Sequence, residues 1–144
     1  MLIPETYVAD LPLRLTLYRR LSNLETRAEI DDFAAELVDR FGPLPEEVTH
    51  LMDVVEIKGL CRTAHIGQLD AGTKGAVVGF HKKTFPNPQG LVELVAKSRG
   101  SVKIQPDQKI VFRGDWDMPE ARLKGVRALA QQLAALAGAG KKPA

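Results

Sequence analysis

Residues 26–45 read TRAEIDDFAAELVDRFGPLP and contain signals for both ends of a helix. Thr26 and Glu29 have the T-x-x-E spacing of a capping box, in which each side chain bonds a backbone N–H that the first turn leaves free. Gly42 and the prolines after it stop the helical pattern. Between these signals lies an apolar stripe at helical spacing, formed by Ile30, Phe33, Leu37 and Phe41. The segment therefore predicts an amphipathic helix.

Helices are also predicted on both sides of this segment. Asp10 as an N-cap and Pro12 in the first turn predict a helix over residues 11–22. A third helix is expected to begin at Pro45 and to continue towards Ile66. The acidic residues that follow Pro45 suit the positive end of its dipole.

The pattern changes after Gly67. Residues 72–75, Gly-Thr-Lys-Gly, separate two short strand-like runs, and residues 106–108 separate two more. Asn87-Pro88 predicts the start of an intervening helix, and a long helix closes the chain. The order of elements predicts an α+β fold with N-terminal helices, a small meander-like antiparallel sheet of about four strands, an intervening helix and a long C-terminal helix. We expect one domain over residues 1–137 and a flexible tail over residues 138–144.

Composition excludes several classes of protein. The chain has 144 residues, with Lys+Arg 20 against Asp+Glu 18, so it lacks the basic excess of a dedicated nucleic-acid binder. Cys61 is the single cysteine, which excludes an internal disulfide and suits a reducing compartment. No apolar run reaches the length of a membrane span, and Met1 opens no signal peptide. We expect a cytoplasmic protein without a membrane partner.

Candidate chemical groups are scattered. His50, His65 and His81 have no metal-binding spacing, so a structural role is favoured. Cys61 is interpreted as a small buried hydrophobe, and a Cys61–His65 nucleophile has no orienting partner.

Two further motifs are weak. The glycine turn at residues 72–75 lacks the G-x-x-x-x-G-K-[ST] spacing of a phosphate loop. Asp117 beside Asp115 fits helix capping better than a metal pair. We predict no catalytic, cofactor-binding or metal-binding residue in this chain.

Basic residues leave one alternative open. A small accessory DNA-binding module is possible, but acidic and apolar residues interrupt the basic ones, and few aromatics offer stacking surfaces. Solvated faces are the favoured interpretation. The residues concerned are Lys82, Lys83, Lys103, Arg122, Lys124 and Arg127.

Three stretches together resemble a known family. They are LIPETYV at residues 2–8, LRLTLYRRL at 13–21 and ELVDRFGPLP at 36–45, and GAVVGF at 75–80 agrees with them. Their order and spacing are similar to the C-terminal (TRCF) domain of the bacterial transcription-repair coupling factor, often called Mfd. The likeness covers roughly residues 2–136.

The resemblance implies a regulatory domain and not an enzyme. Such factors are large ATP-dependent DNA translocases that displace stalled RNA polymerase and recruit nucleotide excision repair. Their ATP and Mg²⁺ sites lie in upstream motor domains. The last domain packs against the UvrB-like N-terminal module of the same polypeptide, masks its surface for UvrA and restrains the motor. Met1 is then expected to be an artificial boundary or an internal methionine.

One helical face is a candidate docking site. Glu36 and Asp39 are three residues apart and therefore neighbours on a helix. With Asp32 and Arg40 nearby, they predict a mainly acidic face, on which a partner's arginines could form bidentate pairs. We expect Glu36 and Asp39 to contact arginines of the UvrB-like module. A merely solvated face is the alternative.

Overall fold

The structure is a computed structural model that describes residues 3–140. Its helices are α1 (Leu11–Ser22), α2 (Arg27–Phe41), α3 (Glu46–Thr63), α4 (Pro88–Lys97) and α5 (Pro119–Gly140), with a short 3₁₀ turn at His81–Lys83. Its strands are β1 (Ile66–Gly72), β2 (Gly75–Phe80), β3 (Val102–Ile104) and β4 (Ile110–Arg113). The predicted α+β fold is confirmed. The chain divides into two compact units, one up to Gly59 and one from Leu60 onward.

Local capping signals define the first two helices. Asp10 accepts a hydrogen bond from the backbone N–H of Leu13 at 3.0 Å and caps α1. Thr26 Oγ1 accepts from the N–H of Glu29 at 3.1 Å, and Glu29 Oε1 accepts from the N–H of Thr26 at 3.1 Å. This is the predicted capping box. Gly42, with φ of +94°, ends α2 in a conformation that suits glycine.

The first unit has an apolar core built from one stripe of each helix. Residues at helical spacing in α1 and α2 are almost fully inaccessible to solvent, as the sequence pattern predicts. The N-terminal segment contributes apolar residues too, and α3 covers the cluster with its own stripe. The core residues are Ile3, Val8, Leu17, Leu21, Ile30, Phe33, Leu37, Val48 and Met52.

The second unit is built around an antiparallel sheet with strand order β1-β2-β4-β3. The two predicted hairpins are present, but the meander is not, because β4 and not β3 pairs with β2. Burial explains the order. Val78 lies opposite Ile110, and Ala76 lies opposite Phe112, so β2 and β4 share one apolar face. In β3 only Val102 is buried, which suits an edge strand.

Three boundaries differ from the sequence-based expectation. The helix α3 ends at Thr63, and Ile66 instead begins β1, where it pairs with Phe80. His65 with φ of +60° turns the chain between them. The helix α5 reaches Gly140, inside the segment predicted as a flexible tail, and the rest of that segment lies outside the described residues. The single domain over residues 1–137 stays a prediction. Among residues 3–140, none of the helices combines the length and apolar character needed to cross a bilayer.

Candidate functional site

The two predicted docking residues lie on one exposed side of α2. Leu37 is buried in the core, whereas the Glu36 side chain is 36% exposed and Asp39 is exposed. Their separation by three positions brings them within one helical turn of each other. Both carboxylates therefore lie outside the apolar stripe of the helix, with Glu36 partly exposed and Asp39 exposed.

Glu36 is held by two arginines. The guanidinium of Arg20, on α1, donates to Glu36 Oε2 at 2.6 Å and to Oε1 at 2.7 Å, which is a bidentate pair. Arg40, one turn further along α2, donates to Oε2 at 3.2 Å. These hydrogen bonds, that from Arg20 first, lower the pKa of Glu36 to about 2. The side chain is thus ionised and fixed in position at neutral pH.

Aromatic rings orient the same two arginines. The guanidinium carbon of Arg20 lies 4.9 Å from the centre of the Phe33 ring, and that of Arg40 lies 5.0 Å from the centre of the Phe41 ring. Cation–π attraction at such distances adds to the ion pairs. The face is therefore less acidic than predicted, because Arg20 lies beside the carboxylates in addition to Arg40.

Asp39 differs from Glu36 in its surroundings. No residue within the described range 3–140 donates a hydrogen bond to its carboxylate or forms an ion pair with it. An ionised carboxylate has about four acceptor positions. All of those on Asp39 are consequently available to a group from outside the chain.

Tyr7 supports the end of this helix. Its hydroxyl donates to the carbonyl oxygen of Gly42 at 2.8 Å, which satisfies an acceptor that the helix end leaves free, and it lies 3.1 Å from the carbonyl oxygen of Leu37. Its ring lies 5.7 Å from that of Phe41, and burial raises the pKa of its hydroxyl. Tyr7 and Arg20 were not predicted as site residues, because only the fold brings them to α2.

The other candidates for chemistry do not form a site. Within the described part of the chain, no three His, Cys, Asp or Glu side chains lie close enough together to hold a metal ion. His65 and His81 meet through their backbones, where the N–H of His81 donates to the carbonyl of His65 at 2.7 Å. Burial raises the pKa of the Cys61 thiol, which disfavours the reactive thiolate. Residues 72–75 form the turn between β1 and β2.

The basic candidates divide between turn, strand and helix. Lys82 and Lys83 are exposed in the 3₁₀ turn, and Lys103 is exposed on β3. On α5, Lys124 is exposed, whereas Arg122 is half-buried and donates to the carbonyl of Asp117 at 3.4 Å. Of these candidates, Lys82 and Lys83 line a cavity beside the end of β2.

A family model described as TRCF domain matches residues 1–91. The chain belongs to this family. It is 42% identical over 110 residues to the transcription-repair-coupling factor of Rickettsia conorii, a match that covers 76% of this chain and 10% of that protein. It is 32% identical over 134 residues to the factor of Haemophilus influenzae, which covers 93% of this chain and 12% of that protein. This TRCF domain thus spans about a tenth of the length of these relatives.

A solved structure described as the crystal structure of the C-terminal domain of transcription-repair coupling factor has the same fold. The TM-score is 0.79 at 18% sequence identity, and the match covers 98% of this chain and 90% of that one. At this identity the likeness supports the fold of the TRCF domain alone. The family and the fold class predicted from the sequence are both confirmed.

Proposed function

We propose that this TRCF domain is a regulatory docking domain without catalytic activity of its own. Through Glu36 and Asp39 on α2 it binds arginines of a UvrB-like N-terminal module of the same polypeptide. Docking masks the surface of that module for UvrA and restrains the ATP-dependent DNA translocase until RNA polymerase is engaged. ATP and Mg²⁺ act in the motor domains of the parent factor, which works on DNA in the cytoplasm during nucleotide excision repair.

The main support for the proposal is a contrast between two carboxylates on the same helical face. That of Glu36 is held by hydrogen bonds, whereas that of Asp39 has all of its acceptor positions available. Arg20 and Arg40 hold Glu36 in one geometry, and Asp39 has no partner within residues 3–140. The two carboxylates together suit recognition of a cation. Because the Glu36 side chain is already held in position, it loses little freedom on binding.

The available acceptor positions define the partner group. Three of the roughly four positions on Glu36 are filled by Arg20 and Arg40, which leaves one on Oε1. All of the acceptor positions on Asp39 are available. A guanidinium, which is planar and carries five donors, can bond Asp39 with two N–H groups and keeps three donors for a neighbouring acceptor such as the one on Glu36. Arginine therefore fits this face better than lysine.

The same arrangement suits a contact that must be released. Interfaces between domains of one chain are commonly modest in area and rather polar. Tethering within one polypeptide raises the effective concentration of the partner, so a weak contact suffices. A small number of exposed ion pairs can then hold the closed state, and engagement of RNA polymerase can open it.

The full-length factor provides the test. Glu36→Arg combined with Asp39→Arg should raise both basal ATPase activity and UvrA binding, because the docking face then repels arginines. Asp39→Asn should raise both to a smaller extent and leaves the Arg20–Glu36 pair intact, so its effect does not depend on a change in folding.

A matched control separates docking from net charge. Glu93 and Asp115 are exposed acidic residues of the second unit. Glu93→Arg with Asp115→Arg changes the net charge by the same amount and should leave both activities at the wild-type level. If the α2 variants also leave ATPase activity and UvrA binding unchanged, the proposed docking role of Glu36 and Asp39 is wrong.

A further inference from the structure

A basic cavity of 290 Å³ lies in the second unit beside the end of β2. The 3₁₀ turn contributes His81, Lys82 and Lys83 to its lining, and the turn between β3 and β4 contributes Asp107 and Lys109. Three lysines and a histidine therefore surround one recess, with a single acidic residue among those that line it. We call this the lysine cavity.

Asp107 offsets only one of the three lysine charges in the lysine cavity. Its Oδ1 accepts a hydrogen bond from the backbone N–H of Lys109 at 3.1 Å, so the carboxylate stabilises its own turn. Among the residues that the structure describes, it forms no ion pair with a lysine. The lysines consequently keep their charges free for a ligand.

The backbone of the lysine pair is unusual. Lys82 and Lys83 both have φ of +55°, in the left-handed region that glycine and asparagine adopt with less strain. Gln108, across the cavity, has φ of +71°. Within residues 3–140, five non-glycine residues have positive φ, and three of them line this one cavity. Backbone strain of this kind clusters at active sites and ligand-binding sites.

The third lysine reaches the cavity across a glycine. A Cβ atom built at Gly79 on β2 would lie 3.9 Å from both Cγ and Cε of Lys109. The aliphatic stem of Lys109 therefore lies over Gly79, which also lines the cavity. This stem is supported by the sheet, so the charge of Lys109 is less free to move than that of an ordinary surface lysine.

We propose that the lysine cavity binds a phosphate group of the duplex DNA backbone. Lysine is a compact point charge that suits phosphate, whereas planar carboxylates are matched by arginine forks, and no arginine lines this cavity. Phe80 is buried, so the imidazole of His81 is the one exposed aromatic ring in the lining, whereas binding of single strands uses several rings on which successive bases stack. This favours a duplex over single strands. The inference does not depend on the docking face, because it concerns residues of the other unit.

Binding of the chain to a short fluorescent DNA duplex, followed by anisotropy, tests this proposal. Lys82→Asn with Lys83→Asn removes two charges while keeping residues that tolerate the left-handed backbone. Each phosphate contact contributes about 0.9 to the slope of the logarithm of the binding constant against the logarithm of the salt concentration. The variant should therefore bind DNA about tenfold more weakly per lysine at about 50 mM salt. Its salt slope should also fall by about 2.

Two controls make the result specific. Lys58 and Lys97 are exposed lysines that do not line the cavity, and Lys58→Gln with Lys97→Gln removes the same charge. This control should retain most of the affinity for DNA, and melting followed by circular dichroism should show that both double variants are folded. Because the lysine cavity is proposed to hold a phosphate group, inorganic phosphate should compete with DNA better than chloride does at the same ionic strength.

Three results would overturn the proposal. The first is that the chain shows no measurable binding of duplex DNA at low salt. The second is that the cavity variant and the control variant lose the same affinity for DNA, and the third is that the cavity variant keeps the wild-type affinity. Saturable binding of inorganic phosphate without binding of DNA would assign the lysine cavity to a small phosphorylated ligand instead.

Discussion

The substitution Gly75→Ala tests the tight hairpin between β1 and β2. Gly75 has φ of +132°, and a Cβ atom built there would overlap the carbonyl oxygen of Phe112 and lie 2.9 Å from Cα of Arg113. Both neighbours are backbone atoms of β4 and cannot rotate away. Backbone strain of about 1–3 kcal/mol and overpacking of about 1–3 kcal/mol predict a loss of about 2–6 kcal/mol. That is a large share of the roughly 5–15 kcal/mol that stabilises a domain.

Gly72, at the other end of the same turn, is the matched control. A Cβ atom at Gly72 meets nothing within 4 Å, so Gly72→Ala should change stability by less than about 1 kcal/mol. Urea unfolding can be followed by the fluorescence of Trp116, the single tryptophan, whose backbone N–H donates to the carbonyl of Thr73 in the turn at 2.9 Å. Gly75→Ala should lower the midpoint by at least about 1 M. Equal stabilities of the two variants would refute the reasoning.

Two further predictions concern the surroundings of α2. Tyr7→Phe removes the hydroxyl that bonds the carbonyls of Leu37 and Gly42, and it should lower the free energy of unfolding by about 1 kcal/mol; an unchanged urea midpoint would contradict this. Glu36 has a pKa of about 2, below its ordinary value of 4.5, so its ion pairs stabilise the fold above pH 4.5 and lose that effect as the pH falls towards 2. Wild type should therefore melt at a higher temperature than Glu36→Gln at pH 7, and this difference in melting temperature should disappear between pH 4.5 and 2. A difference that stays constant over this range would show that the ion pairs of Glu36 contribute nothing to stability.

Local signals account for the parts of the fold that the sequence predicts well. Both ends of α2 are set by residues that are close together in the chain, namely the capping box of Thr26 and Glu29 and the stop at Gly42. The first and last residues of α2 can therefore be predicted from the sequence. The strand order is different. It depends on the pairing of Val78 with Ile110, and no local pattern specifies which of two distant hairpin strands β2 will meet.

The candidate site was predictable only in part. Glu36 and Asp39 follow from helical spacing, and Arg40 is one turn from Glu36. The stronger partner, Arg20, lies 16 positions away on another helix and becomes visible only after folding. The lysine cavity could not be predicted either, because a lysine pair gives no sign that its backbone is left-handed.

The most direct test of the docking account is a binding measurement between this chain and the UvrB-like module of the same factor. We predict saturable binding at micromolar concentrations, weakened at least about tenfold, or about 1.4 kcal/mol, by Asp39→Arg and unaffected by Glu93→Arg. Saturable binding that is equally tight with Asp39→Arg, or no binding by the folded wild-type chain at high micromolar concentrations, would contradict the account.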